Sequence, residues 1–159
     1  MMIEELIKEN WESIGHKHGE SYWASWGDNW MIDLEIDTIG KHIRHGDRAP
    51  DVGCANGFSK FRQAELHELA PITGVDFASN MVAAAQATKQ QKGFGNNIDF
   101  SEGDVRSLQF PNKTFDLVYT TRTLINLPSW LQQMQGIAEC VRVVRPNGTV
   151  VLSEGFVSP

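Results

Sequence analysis

Arg48-Ala49-Pro50-Asp51-Val52-Gly53-Cys54-Ala55-Asn56-Gly57-Phe58 is the stretch on which the reading of this chain turns. Asp51-Val52 ends a buried strand, glycines and small residues follow, and a helical run begins near Phe58. Glycine in such a turn lets backbone come close to a ligand. The helix N-terminus adds unpaired N–H groups and the positive end of a dipole, so an anionic group is stabilised there without a basic side chain. Pro50 has no N–H to give a central strand, which puts the paired part of the strand at Asp51 onward.

Downstream, Phe58, Phe61, Ala64 and Leu69 predict a helix to about Ala70, ended by Pro71. Ile72–Asp76 is a short strand ending in an acid. Asp76 follows Gly53 by 23 residues, near the spacing at which a dinucleotide fold places a carboxylate for ribose hydroxyls. Ser79 or Asn80 caps the next helix, whose inner face is Met81, Val82, Ala84 and Ala85. Ile98–Phe100 is a third strand, and Asp104 follows it. Asp51, Asp76 and Asp104 each close a predicted parallel strand. One such acid is ordinarily a turn or helix cap; three together mark the sheet edge where ligands bind in open α/β folds. Phe115–Tyr119 reads as a fourth strand. Ser129 caps a helix with the stripe Trp130, Leu131, Met134, Ile137, Ala138 and Val141. Pro146-Asn147-Gly148 is a tight turn before a fifth strand, Thr149–Leu152.

Upstream, Ile3, Leu6, Ile7, Trp11 and Ile14 recur at helical spacing, predicting a helix over 2–14. Residues 15–27 mix glycines, His16, His18, Tyr22, Trp23 and Trp26. Trp23 and Trp26 either pack this preface onto the main body or form a lid whose aromatic faces meet a flat ligand. His16 and His18 have HxH spacing but no convincing third metal ligand nearby, and solvated loop residues are expected. Asp28 or Asn29 caps a second helix with Ile32, Ile36, Ile39 and Ile43 buried and Gly46 at its end. The expected organisation is a helical preface, 1–47, on a ligand-binding unit, 48–159, together one compact domain.

One domain suits 159 residues, and 41% hydrophobic residues can build its core. Fourteen basic against twenty acidic residues give a net charge of −6, which argues against a nucleic-acid partner. Cys54 and Cys140 are too few for a disulfide framework. No run reaches membrane-spanning length and no signal-peptide pattern opens the chain. No membrane partner and a cytoplasmic location are therefore expected.

The chain resembles the class I S-adenosylmethionine-dependent methyltransferases from about Asp51 to Glu154. DVGCANG resembles that family's first motif, GVD its ribose motif and EGDV its adenine motif. FDLVYTTRTLINL resembles the fourth-strand motif, and VVRPNGTVVLSEG the approach to strand five. The resemblance implies an α/β, Rossmann-like open sheet of order 3-2-1-4-5 with helices on both faces. It implies S-adenosylmethionine as cofactor, S-adenosylhomocysteine as product and methyl transfer to an acceptor. Gly53, Cys54, Ala55 and Gly57 would loop around the methionine part, with Asp51 and Asn56 beside it. Asp76 would hold the ribose hydroxyls, Phe77 and Met81 would lie against the adenine, Asp104 would accept its amino group and Val105 would offer backbone to the ring. Thr121 and Arg122 would lie near the sulfonium and the acceptor, and Trp26 would close over the cofactor as part of the lid.

Ala55 and Pro50 depart from the family's usual glycine and aliphatic residue. The family also continues past strand five with another helix and two strands, the last antiparallel, so a gene fragment is expected over a naturally short enzyme. The adenine-amino methyltransferase signature Asn-Pro-Pro-aromatic is absent at Thr120–Thr123, which with the net acidity favours a small-molecule acceptor. No catalytic residue is assigned, since in-line displacement needs positioning and exclusion of water more than a shared triad. A nicotinamide-dependent oxidoreductase is the first rival, opposed by Gly53-x-Ala55-x-Gly57 in place of G-x-G-x-x-G. A non-catalytic cofactor-binding or assembly module is the second. A fifth strand at the sheet edge predicts a homodimer through that edge.

Overall fold

β1 (Asp51–Val52), β2 (Ile72–Asp76), β3 (Ile98–Glu102), β4 (Phe115–Thr121) and β5 (Val144–Ser153) pair in parallel, in the order β3-β2-β1-β4-β5. This is the architecture of the computed structural model, which describes residues 3–19, 21–24, 28–67 and 72–155. β4 shows why the sheet is covered on both faces. Val118 packs with Val52, Val75, Cys140 and Val143 on one side, while Leu117 and Tyr119 pack with Ile39 and Ile43 on the other. That alternation is the period-two geometry of a strand. β1 is only two residues long. Pro50 leads into it, and its carbonyl accepts from Tyr119 N (3.2 Å), so the missing N–H is not needed.

The first face carries α5 (Trp130–Val143). The second carries α2 (Asn29–Gly40), α3 (Phe58–Leu66) and α4 (Ser79–Lys92). α1 (Ile3–His18) crosses the start of α4. It runs to His18 rather than ending near residue 14, so His16 and His18 sit on its last turn and not in a loop. Gly15 is buried at the crossing, where a Cβ would lie 3.2 Å from Asn80 Cβ and from Met81 N. Glycine within this helix permits the close approach.

α2 starts as expected, with Asp28 Oδ1 accepting from Trp30 N (3.0 Å) and Met31 N (3.3 Å). It ends at Gly40, not Gly46, although Ile43 still enters the core. α3 stops at Leu66, ahead of the expected end; 68–71, with Pro71, lie outside the described residues.

α4 is not capped by its own side chains. Glu12 of α1 accepts from Ser79 N (2.8 Å), Ser79 Oγ (2.9 Å) and Asn80 N (2.9 Å). A carboxylate from another helix thus satisfies the orphan donors and meets the positive dipole end, and backbone donors hold its pKa down despite some desolvation.

α5 corrects the sequence reading most. Most of its expected apolar stripe faces outward, with Trp130 66%, Leu131 70% and Val141 56% exposed; Ile137 of that stripe packs half-buried against the core, where Gly136, Cys140 and Val143 are buried. The inward face is small, and a Cβ on Gly136 would come within 2.8 Å of Leu124 Cδ2. Polar anchors fix the rotation: Arg142 donates to Leu108 O (2.8 Å) and Phe110 O (2.8 Å), and Glu139 accepts from Leu108 N (2.8 Å).

β5 is also longer than expected. Pro146–Gly148 is an irregularity inside it, with Asn147 at φ +63° and the register to β4 shifting between Phe115 and Leu117.

Candidate functional site

The strand ends, the glycine turn and the N-terminal helices enclose a cavity of about 140 Å³. Its floor is the turn after β1. Gly53 N and Cys54 N donate to Val75 O (2.7 and 3.0 Å), tying the turn to β2. Gly53 and Gly57 have φ of +82° and +78°, and Ala55 itself has φ +47°. Gly53 is required twice over, because a Cβ there would lie 1.9 Å from Thr123 Oγ1.

Asp76 sits in the wall above this turn. Its Oδ2 accepts from Ala55 N (2.7 Å) and its Oδ1 from Ala78 N (2.9 Å). Burial pushes its pKa up to about 6, against the pull of those backbone donors. Phe77 lies next to it, with Lys8 Nζ 5.1 Å from the ring centroid.

Asp104 and Val105 form the wall after β3. Asp104 is heavily engaged. Oδ1 accepts from Arg106 N (2.8 Å) and Nε (3.0 Å), and Oδ2 from Nε (3.1 Å) and Nη2 (2.6 Å). Desolvation opposes it, but this guanidinium holds the carboxyl below its ordinary value. Arg106 also reaches Glu4 Oε1 of α1 (2.9 Å), and Gln132 Nε2 donates to the same oxygen. α1 is thereby latched across the β3 end of the cavity, with Lys8 on Glu102 (3.0 Å) as a second tie.

At the β4 end stand Thr121, Arg122 and Thr123. Arg122 has φ +51°, and its N–H donates to Ser153 O (2.7 Å). Glu154 accepts from Thr120 Oγ1 (2.8 Å) and from the N–H groups of Thr123, Leu124 and Ile125 (3.2, 3.2 and 3.1 Å), fixing the turn that follows.

Of the residues singled out in the sequence, Gly53, Cys54, Ala55, Asp76, Phe77, Asp104, Val105, Thr121 and Arg122 line this one cavity. Asp51, Asn56, Gly57 and Met81 do not. Asp51 is buried beneath it, accepting from Ser59 Oγ (2.7 Å). Asn56 Nδ2 donates to Gly19 O (2.9 Å) and Ser21 O (2.8 Å), tying the preface to the turn. Gly57 meets Phe100, and Met81 packs with Ala24 and Ala78. Trp26 lies outside the described residues; Trp23 is exposed. Sequence reasoning passed over Glu4, Trp11, Glu35, Arg106 and Thr123, which also line the cavity. Glu35 had a legible signal, an acid on the face of Ile32, Ile36 and Ile39. Glu4 had none, since its partners Arg106 and Gln132 are remote in sequence; Arg106 stands two residues after Asp104, but no local signal pairs the two.

Residues 50–148 match the family model described as "Methyltransferase domain". A demethylmenaquinone methyltransferase of Bacillus licheniformis is 33% identical over 151 residues, which cover 94% of this chain and 60% of that protein. The 27-O-demethylrifamycin SV methyltransferase of Amycolatopsis mediterranei is 27% identical over 117 residues, covering 74% of this chain and 42% of its own length. The chain spans about half the length of such relatives. Among solved structures, the [4+2]-cyclase SpnF superposes with a TM-score of 0.69 at 29% identity, over 75% of this chain and 43% of that one.

Proposed function

Because this chain belongs to the class I S-adenosylmethionine-dependent methyltransferase family, we propose that its cavity holds S-adenosylmethionine and that it directs methyl transfer to a small-molecule acceptor. When bound, the cofactor supplies an electrophilic methyl group on a sulfonium. The residues present suit such a molecule: the Gly53–Ala55 turn for close backbone approach, Asp76 for a ribose, and Phe77 and Val105 as apolar walls for a base. Asp104 is the poorest fit, because Arg106 already occupies both of its oxygens. Reading the adenine amino group there requires Arg106 to give way. The chain's own part is to hold the acceptor in line and exclude water.

In the same reading, residues 1–47 cap the cofactor-binding unit 48–159. Nucleic acid is set aside as acceptor on the net charge of −6. A cytoplasmic setting suits the free, buried thiols of Cys54 and Cys140. Among the described residues, no helix is long and apolar enough to cross a membrane.

Asp76 is the observation that carries the proposal: a carboxylate fixed by backbone donors in the wall beside the glycine turn. Asp76→Ala is expected to weaken S-adenosylhomocysteine binding by about 1–3 kcal/mol, the worth of charge-assisted hydrogen bonds to ribose. Its pKa of about 6 sets the pH dependence. Ribose hydroxyls donate to the ionised form, so affinity should fall as pH drops through about 6, and Asp76→Ala should flatten that slope. Calorimetry over pH 5–8 (about the range where the group titrates) checks both. An affinity untouched by the substitution in a folded protein rules the ribose role out.

We also propose self-association through the β5 flank. Among the described residues no strand pairs with the outer edge of β5, beside the outward apolar face of α5, although Pro146 and Arg145 blunt its first half. Sedimentation should show a concentration-dependent dimer that Leu131→Glu or Thr149→Lys disperses. Both side chains are exposed, so neither change disturbs the core. A monomer at every concentration refutes the dimer.

A further inference from the structure

The cavity around Thr121 and Arg122 holds a charge arrangement to which the cofactor roles assigned above to Asp76, Phe77 and Val105 give no part. Glu35 lines it on the face of α2 that carries Ile32 and Ile36. Glu35 Oε2 lies 3.0 Å from Arg122 Nη2, with both side chains largely enclosed. Glu35 Oε1 accepts from Ser153 Oγ (3.2 Å). Beyond that ion pair Oε2 accepts no hydrogen bond, and Thr121 Oγ1, in the lining of the same cavity, makes none either. Buried polar atoms are nearly always hydrogen-bonded, so an oxygen held only by an ion pair and a hydroxyl with no hydrogen bond, both lining one cavity, leave room for a ligand's hydroxyl or amine. Glu154 lies close enough to act on both partners, raising the Glu35 carboxyl further above its ordinary value after burial has pushed it up, and opposing the burial that lowers Arg122. One carboxylate thus pairs with the guanidinium and a second acts on it from farther away, so the charge around Arg122 is on balance negative.

We propose that Glu35 and Thr121 form the acceptor subsite, and that it takes an apolar molecule bearing an uncharged hydroxyl or amine while rejecting carboxylates and phosphates. A hydroxyl or amine N–H donates to Glu35 Oε2 and can pair with the threonine hydroxyl. An anion in the same place meets an excess of negative charge. Ile32, Ile36, Leu127 and Pro128 supply apolar wall for the rest of the molecule. The inference rests on the methyl-transfer reading of this cavity and names the acceptor class within it.

Phenol and benzoate share a ring and differ in the head group, so they test the subsite. Ligand-observed NMR titrations use the whole chain, with and without saturating S-adenosylhomocysteine. Phenol should bind and benzoate should bind about tenfold more weakly or not at all. Glu35→Gln should weaken phenol about tenfold and narrow the gap between phenol and benzoate, because one of the two carboxylates acting on Arg122 is gone, while S-adenosylhomocysteine affinity stays unchanged. Should that variant fail to fold, the double variant Glu35→Gln with Arg122→Gln removes both charges and should lose phenol while still refusing benzoate. The subsite is overturned by benzoate matching phenol on the unsubstituted chain, by no phenol binding up to its solubility limit, or by phenol affinity indifferent to these variants. Phenol discrimination that persists where S-adenosylhomocysteine fails to bind supports the subsite and defeats the cofactor reading instead.

Discussion

Gly53→Ala is expected to destabilise the protein by about 2–5 kcal/mol, the sum of left-handed backbone strain and overpacking. That is a large share of a total of roughly 5–15 kcal/mol for a typical domain. The two components are separable. At φ +82° an alanine pays the strain that Ala55 already carries at φ +47° two residues on. The larger part is steric, because the new Cβ would fall 1.9 Å from Thr123 Oγ1 and 2.6 Å from Thr123 Cγ2. Thr123 cannot simply rotate out without loss, since its hydroxyl donates to Val52 O (3.1 Å). Urea denaturation of Gly53→Ala, Thr123→Ala and the double variant closes the cycle. The double variant should recover most of the steric loss and keep about 1–2 kcal/mol of strain. Additive effects of the two substitutions would show that the contact does not govern this turn. Cofactor binding should fail in the single variant, because Thr123 and the turn both line the cavity.

Asp51→Ala should destabilise by about 3–5 kcal/mol near pH 6, the usual consequence of leaving a buried charge without its partner. Lys60 is that charge. It is fully enclosed, donates to Ala49 O and Tyr119 Oη (3.4 Å), and lies 4.9 Å from the Tyr119 ring centroid. Burial lowers its pKa to about 7, with Asp51 holding it from falling further. The sign of the pH dependence follows. Between about pH 7 and about pH 10 the unfolded chain binds the lysine proton and the folded chain does not, so stability rises with pH across that window. Asp51 behaves oppositely in the acid range: burial raises its pKa, so its contribution is present at low pH and lost as pH climbs through the folded value. Above about pH 7 Lys60 is neutral in the folded state, so the effect of Asp51→Ala should shrink there. Lys60→Met should remove the alkaline rise altogether. An alkaline slope unchanged in Lys60→Met would place the titrating group elsewhere.

The strand ends and the turn were legible because their signals are local. Gly53 and Gly57 sit where positive φ is needed, Asp76 closes a short apolar run, and Phe115–Tyr119 of β4 is a five-residue run with a single charge. Turn chemistry and strand period need only a few neighbours to be read. The family's strand order then placed Asp76, Phe77, Asp104, Val105, Thr121 and Arg122 on one edge, and the cavity gathers them all.

Tertiary structure decided which face of α5 turns inward, what caps α4 and what neutralises each charge in the cavity. Periodicity locates an apolar stripe but cannot say what lies opposite it. In α5 the anchors of Arg142 and Glu139 on the Leu108–Phe110 loop outweigh the stripe, and Trp130 and Leu131 turn outward. Glu12 caps a helix 67 residues away, and Glu4 meets Arg106 across 102. Charge pairing depends on distance in space rather than along the chain. The sequence by itself therefore determined the sheet, the turn and the strand-end edge that carries the cavity, whereas the end of the cavity where Glu35 meets Arg122 was decided only when α2 packed across the end of β4.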